Sequence, residues 1–292
     1  MLPVDLPEIA EEAGQPRTLR PRALIVTIYG LYAREAGGWL SVSSLIRLMS
    51  ELGIDEPAVR SSISRLKRRG ILEQQRVEGA AGYALSDGAR EILDEGDRRI
   101  FERPRATPED GWVIAVFSVP ESERQQRHRL RSRLSWLGYG SVGAGVWIAP
   151  WHLETETRRD LLRDDLARYV DLFHADYLGF GDVAGQVEEW WDLAGLQALY
   201  ASFHDEYAPI LARWRRRRRF DDGAAFADYV RALTAWRRLP FLDPGLPEQL
   251  LPQDWLGVRA ADLFFELRER LEAPAHRHVG SVTGRGGDTP AR

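Results

Sequence analysis

Chemistry concentrates in one stretch of this chain. Between Pro57 and Leu72 stand five basic side chains, Arg60, Arg65, Lys67, Arg68 and Arg69, and no acid, although the chain's formal net charge is −4. Successive residues of an α-helix turn by about 100°. Val59, Ile63 and Leu66 therefore share one apolar face, with Ser61, Ser64, Arg65 and Arg68 opposite and Arg60, Lys67 and Arg69 flanking. A helix of this kind fits the major groove of DNA, where arginine binds guanine O6 and N7 bidentately and serine bonds to bases or phosphates. A basic helix face can also be merely solvated. The position of this one, third in a helical series and just before a hairpin bearing Arg76, favours DNA. The candidate DNA-binding residues are Arg60, Ser61, Ser64, Arg65, Lys67, Arg68 and Arg76.

Other constellations carry less. The sequence has no cysteine, which excludes disulfides, thiolate metal sites and cysteine nucleophiles. Lys67 is the only lysine, and no Gly-x-Ser-x-Gly or His-Glu-x-x-His motif occurs. His276-x-His278 has no third ligand nearby, and His204-Asp205-Glu206 beside Asp192 reads as a solvated helix face. Gly138, Gly140, Gly143 and Gly145 suit a tight hairpin rather than a phosphate loop. No enzyme, metal or cofactor is expected. Arg213 and Arg215–Arg219 form the densest cationic run. Three readings stay open for it: a solvated helix end neutralised by Asp221 and Asp222, a holder of ligand phosphates, or a contact to flanking DNA. The tryptophans Trp112, Trp147, Trp151, Trp190 and Trp191 read either as interdomain core or as an apolar ligand pocket. Residues 152–192 hold eleven acids against four arginines, a surface that DNA repels.

The elements that must position the basic helix follow from periodicity. Residues 20–34 predict a helix, Trp39-Leu40 a short strand, 42–52 a helix ended by Gly53, and 56–69 the basic helix, opened by Asp55 and Pro57. Ile71–Val77 and Tyr83–Leu85 predict a hairpin around Glu78–Gly82, and 87–100 a further helix before a Pro104–Pro108 linker. This is the order of a winged helix-turn-helix. The period then changes: strand 112–119, helix 121–137, strands 139–142 and 146–148, helix 154–169, strand 172–180. That is the βαββαβ order of a ferredoxin-like module. From 185 the pattern is helical, with helices near 221–239 and 260–272 and a structured loop across Pro240–Pro252. The expected fold class is α+β multidomain: a disordered tail 1–19, a winged helix-turn-helix 20–103, a ferredoxin-like domain 110–182, a helical C-terminal domain 185–273 and a disordered tail 274–292. The acidic start, with Asp5, Glu8, Glu11 and Glu12, is no targeting signal, and no apolar run reaches the roughly 20 residues of a membrane span. A soluble, cytoplasmic protein is expected.

The strings AVRSSISRLKRRGIL (58–72), LSWLGYGSVGAGVWIAP (134–150) and LPFLDPGLPEQLLPQDWLG (239–257) carry a resemblance. Over about residues 20–275 the chain resembles the PaaX-like transcriptional regulators of phenylacetic-acid catabolism. The resemblance implies those three domains, a repressor, and release from DNA by an aryl-acetyl-CoA thioester. It places Arg60 and Arg65 on the two arginine positions of the third-helix motif. The chain departs from the family at Gly79-Ala80-Ala81-Gly82, where the wing often carries a Gly-Arg pair, so wing contacts are expected to be weak.

The middle module is also similar to the small CRISPR-associated ferredoxin-like nuclease, which carries a metal-binding aspartate at the end of its first strand. The matching positions here are Phe117-Ser118-Val119-Pro120, without a carboxylate. The expected partners are a double-stranded operator with an inverted repeat, a second copy of the chain, and an acyl-CoA effector. Trp112, Trp147, Trp190, Arg215 and Arg216 are the candidate effector residues. The alternatives are a metal-dependent nuclease and a DNA-binding regulator without an effector.

Overall fold

A computed structural model describes residues 20–34, 37–217, 219 and 221–284; the tail expected at 1–19 and residues 285–292 lie outside the described residues. The fold is mixed α+β with two small antiparallel sheets. The described residues form two compact units, one comprising those from 20 to 97, 203 to 236 and 259 to 284, the other 98–202 and 237–258. The helices expected as one C-terminal domain, 185–273, are thus shared between the two units.

The first unit opens with α1 (Pro21–Ile28), which has proline in its first turn and continues as a π-helical turn to Ala33. Strand β1 (Trp39–Ser41), α2 (Val42–Glu51), α3 (Glu56–Arg68), β2 (Leu72–Val77), β3 (Ala80–Leu85) and α4 (Asp87–Asp97) follow. The sheet order is β1-β3-β2, with Trp39 opposite Ala84 and Arg76 opposite Ala81. Ile25, Ile28, Leu45, Leu48 and Val59 are fully buried between the helices.

The second unit contains β4 (Trp112–Phe117), α5 (Arg124–Trp136), β5 (Gly140–Gly143), β6 (Val146–Pro150), α6 (Glu154–Arg163) and β7 (Val170–Ala175). The sheet order is β5-β6-β4-β7. Val113, Ala115, Leu130, Leu134, Leu137, Trp147 and Leu161 share its core. A buried ion cluster joins α5 to α6, where Arg133 faces Asp160 at 3.5 Å and also pairs with Asp164. The strand expected at 172–180 ends at Ala175; Leu178 and Phe180 beyond it are exposed and have no ladder to join.

The remaining helices are α7 (Val183–Trp190), α8 (Leu193–Arg216), α9 (Asp222–Trp236), the short α10 (Leu239–Leu242) and α11 (Gly257–Thr283). From Phe203 onward α8 joins α9 and α11 in the first unit. There Trp236 stacks on Phe264 at 4.9 Å and Phe203 on Tyr207 at 4.7 Å. Thr234 on α9 donates to the Thr27 hydroxyl on α1 at 2.8 Å.

The tail expected from 274 is corrected: α11 runs through Pro274 to Thr283. Ala275 and Val279 are buried on it, the His276 ring meets Tyr32 edge-on at 4.8 Å, and His278 pairs with Glu51. Tertiary packing of that face outweighs the glycine-rich, proline-containing local sequence.

Candidate nucleic-acid interface

Local capping sets the ends of α3. The Asp55 carboxylate accepts from the Ala58 N–H at 2.8 Å, and Pro57 occupies the first turn, where its missing N–H costs nothing. Ahead of it, Ser41 caps α2 by accepting from Ser44 N–H at 3.0 Å. The four-residue connection from Leu52 to Asp55 reverses the chain through Gly53, whose φ of +78° lies in the left-handed region that favours glycine. After α3, the Ser86 hydroxyl donates to the Gly70 carbonyl at 2.6 Å and accepts from the Ala89 N–H at 3.2 Å. It ties the end of α3 to the start of α4.

Val59, Ile63 and Leu66 are buried, as the helical spacing requires, and Ser62 joins them. Ser62 is not legible as an inward residue from its type; only its phase along the helix signals it. Arg60, Ser61, Ser64, Arg65, Lys67 and Arg68 are all exposed on the other side. Their commitments differ. Arg60 pairs with Glu56 at 2.7 Å, one turn back. Arg65 donates to the Ser61 hydroxyl at 3.1 Å, and Lys67 to the Gln74 side chain at 3.3 Å. Arg68 and Arg76 are exposed and hold no carboxylate among the described residues. An exposed one-turn ion pair is worth less than about 1 kcal/mol, so Arg60 can exchange Glu56 for a phosphate at little cost.

The turn expected at Glu78–Gly82 is shorter. Glu78 and Gly79, with φ of 51° and 82°, make a two-residue hairpin connection, and Ala80 already pairs with Val77. Gly82 is a strand residue under an aromatic: a Cβ there would lie 2.4 Å from the Leu40 carbonyl and 2.4 Å from the Trp39 ring. Trp39 reaches across it to donate to the Gln75 carbonyl at 3.3 Å. The glycine thus serves sheet packing, and the hairpin tip carries the acid Glu78.

The effector candidates fall into three places. Trp112, Trp190 and Trp191 form one cluster, with ring centroids 6.1–6.2 Å apart. Trp191 also donates to the Gly138 carbonyl at 2.8 Å. Trp147 does not join them. It pairs in register with Ala115, whereas Trp112 is an odd number of residues away on β4. Side chains alternate along a strand, so Trp147 points into the sheet–helix core and Trp112 to the other face. Arg215 and Arg216 belong to the first unit.

The cationic run is largely spoken for. Arg213 donates to Asp228 at 2.6 Å, Arg215 makes a two-pronged pair with Glu266, and Arg217 lies 4.5 Å over the Trp214 ring. Hydrogen bonds from Arg215 hold the Glu266 carboxyl at about 2, well below its ordinary value. The expected neutralisers act elsewhere: Asp221 caps α9 through the Ala224 N–H, and Asp222 pairs with Arg277 at 2.8 Å. Arg218 lies outside the described residues. Among the described residues there is no group of three histidines or carboxylates placed to hold a metal. Ser118, at the position of the nuclease aspartate, donates its backbone N–H to the Tyr169 carbonyl.

Comparison with known proteins defines the class first. Three family models match successive segments: PaaX-like protein over residues 20–89, PaaX protein central Cas2-like domain over 105–187, and PaaX-like protein C-terminal domain over 191–281. The chain belongs to the PaaX-like family. Among individual relatives, it is 26% identical over 257 residues to the Transcriptional repressor PaaX of Escherichia coli strain K12, spanning 87% of this chain and 80% of that one. It shares its fold with an uncharacterized protein of Mycobacterium tuberculosis, Rv0674, at a TM-score of 0.58 and 23% identity, covering 88% of this chain and 99% of that structure. No helix among the described residues is long and apolar enough to cross a membrane.

Proposed function

We propose that this protein is a DNA-binding transcriptional repressor whose residues 20–103 form a winged helix-turn-helix, with α3 as the helix that enters the major groove. One observation carries the reading: every polar candidate on α3 is exposed on one side while Val59, Ile63 and Leu66 anchor the other. The four-residue glycine turn between α2 and α3 and the hairpin after α3 support the same module. Arg65 and Arg68 reach base edges or adjacent phosphates. Arg60 and Lys67 hold phosphates, Ser61 and Ser64 bond beside them, and Arg76 adds a contact from β2. The wing contributes little, because its tip presents Glu78 instead of a cation.

Residues 110–182 are proposed as a ferredoxin-like module; the order β5-β6-β4-β7, second strand beside third beside first beside fourth, supports a split βαβ arrangement. Residues 185–273 follow as the family's C-terminal segment. One winged helix reads only a half-site, so a homodimer on an inverted repeat is part of the proposal. So is control of a phenylacetate catabolic operon, with an aryl-acetyl-CoA effector that lowers DNA affinity.

The deciding experiment is a binding titration on the operator selected from random DNA. Arg65→Ala and Arg68→Ala are expected to weaken the complex without disturbing the fold, and phenylacetyl-CoA to release it. Unchanged affinity in both variants overturns the assignment of α3. Failure of phenylacetyl-CoA at millimolar concentration overturns the effector alone.

A further inference from the structure

The second unit is acidic over residues 152–192, yet its sequence holds no acid between Glu123 and Glu154. Helix α5 (Arg124–Trp136) falls in that stretch and carries Arg124, Arg127, His128, Arg129, Arg131 and Arg133. Two of these are structural. Arg133 is buried against Asp160 and Asp164, and Arg127 donates to Glu121 at 3.0 Å and to the Val119 carbonyl at 2.9 Å. Glu123, the other acid at this end of the helix, accepts from the Tyr169 hydroxyl and pairs with Arg168 at 3.8 Å. Leu130 and Leu134 are fully buried in the core of the unit and anchor the helix from below.

The remaining polar residues face solvent. At about 100° per residue, Arg124, His128, Arg131 and Ser135 fall within about 60° of one another, in a stripe about 16 Å long. All four are exposed, and Arg124, His128 and Arg131 hold no ion-pair or hydrogen-bond partner among the described residues. Arg129 flanks them and donates to the Gln126 side chain at 2.8 Å. The charge of this face is therefore uncompensated, and the helix that carries it is held rigidly.

The chemistry of the stripe selects its partner. Among the described residues, none of the exposed large apolar side chains lies on α5, so the stripe has no anchor of the kind that seats a protein surface or an acyl group. No exposed aromatic is present to stack on an unpaired base, the platform that a single strand uses. Two guanidinium charges, an imidazole and a hydroxyl, each about one turn from the next, suit an anion that repeats. A DNA duplex presents one backbone charge about every 1.7 Å of its axis. We propose that the outer stripe of α5 is a second DNA contact, which holds backbone phosphates of a duplex without reading its sequence; this rests on the DNA-binding reading above. Guanidinium forks match phosphate oxygens in charge and geometry.

The measurement is DNA affinity of the full chain as a function of salt, on the selected operator and on a random duplex of equal length. Arg124→Gln combined with Arg131→Gln removes two exposed cations that hold no partner in the fold. It is expected to reduce the slope of log affinity against log salt by about two on both duplexes, close to one per phosphate contact, and to leave the preference for operator unchanged. Arg98→Gln combined with Arg158→Gln removes the same charge from arginines paired with Glu102 and Glu154, and is expected to keep the parent slope. A parent slope in the α5 variant, or an equal drop in both double variants, overturns the proposal; the α3 reading then stands if Arg65→Ala and Arg68→Ala still weaken operator binding. A reduced slope in the α5 variant beside unchanged α3 variants upholds the α5 contact and overturns the assignment of α3. A parent that binds neither duplex overturns both.

Discussion

Two arginine-rich regions of the first unit look alike in sequence and differ in structure. The run Arg213 to Arg219 has the higher density of cations, yet Asp228, Glu266 and the Trp214 ring engage Arg213, Arg215 and Arg217. On α3 the cations are fewer, but the acids are fewer still. Glu56 meets Arg60 there, and Arg65 and Arg68 remain turned outward. A local field depends on charge left uncompensated, not on charge counted along the chain. A helix face that keeps its cations exposed, on a rigid apolar anchor, is suited to phosphates and base edges. A run whose cations are paired with acids of α9 and α11 is suited to holding helices together.

The largest expected effect separates these two roles. Arg65→Ala and Arg68→Ala should each cost about 1–3 kcal/mol of operator binding, and Arg215→Ala together with Arg216→Ala less than about 0.5 kcal/mol. Fluorescence anisotropy on the same DNA compares them directly; equal losses would break the distinction.

Asp228→Ala should act on folding instead. It removes the acceptor of both Arg213 and the buried Trp214 N–H, 2.8 Å away. A loss of about 2–3 kcal/mol in urea unfolding is expected, with DNA affinity unchanged in the folded fraction.

A third kind of cationic surrounding, the buried arginines near His152, sharpens the contrast through pH. The His152 pKa falls from 6.5 to about 4 on folding. The unfolded chain therefore binds more protons between those values, and the stability this neutral histidine confers is lost as pH falls from 6.5 towards 4. Between pH 7 and pH 5 the parent should lose about 2 kcal/mol relative to His152→Gln, measured by urea unfolding at both pH values.

Smallest is Lys67→Gln. Removing one phosphate-holding cation should weaken specific and non-specific DNA binding alike by less than about 1 kcal/mol, and reduce the slope of log affinity against log salt by about one. A change in sequence preference would instead make Lys67 a base reader.

The basic helix is legible in the sequence because every signal for it is local. A capping acid, a first-turn proline, an apolar 3.6-residue repeat and a glycine stop fall within sixteen residues, and each acts on neighbours along the chain. The same locality makes the strands of the second unit readable, down to the order in which they alternate with helices. The hairpin tip is three residues shorter than its composition suggests, because small side chains resemble a turn. Gly82 instead needs to be small where Trp39 crosses the sheet, and Ala80 and Ala81 are exposed strand residues. Likewise Trp112 and Trp147 look like partners by type, and strand alternation sends them to opposite faces.

What the sequence determined by itself is thus most of the elements and the inward and outward faces of α3. Those follow from short-range periodicity and capping, which need no knowledge of what lies across the core; the family was signalled separately, by the resemblance of three motif strings. The tertiary structure decided which arginines keep their charge exposed, that α11 continues past Pro274 to Thr283, and that Arg103 and Arg105 share one Asp243. Each of these depends on residues brought together from distant parts of the chain. Burial and charge pairing are properties of that assembled neighbourhood, and a linear pattern of residue types does not contain them.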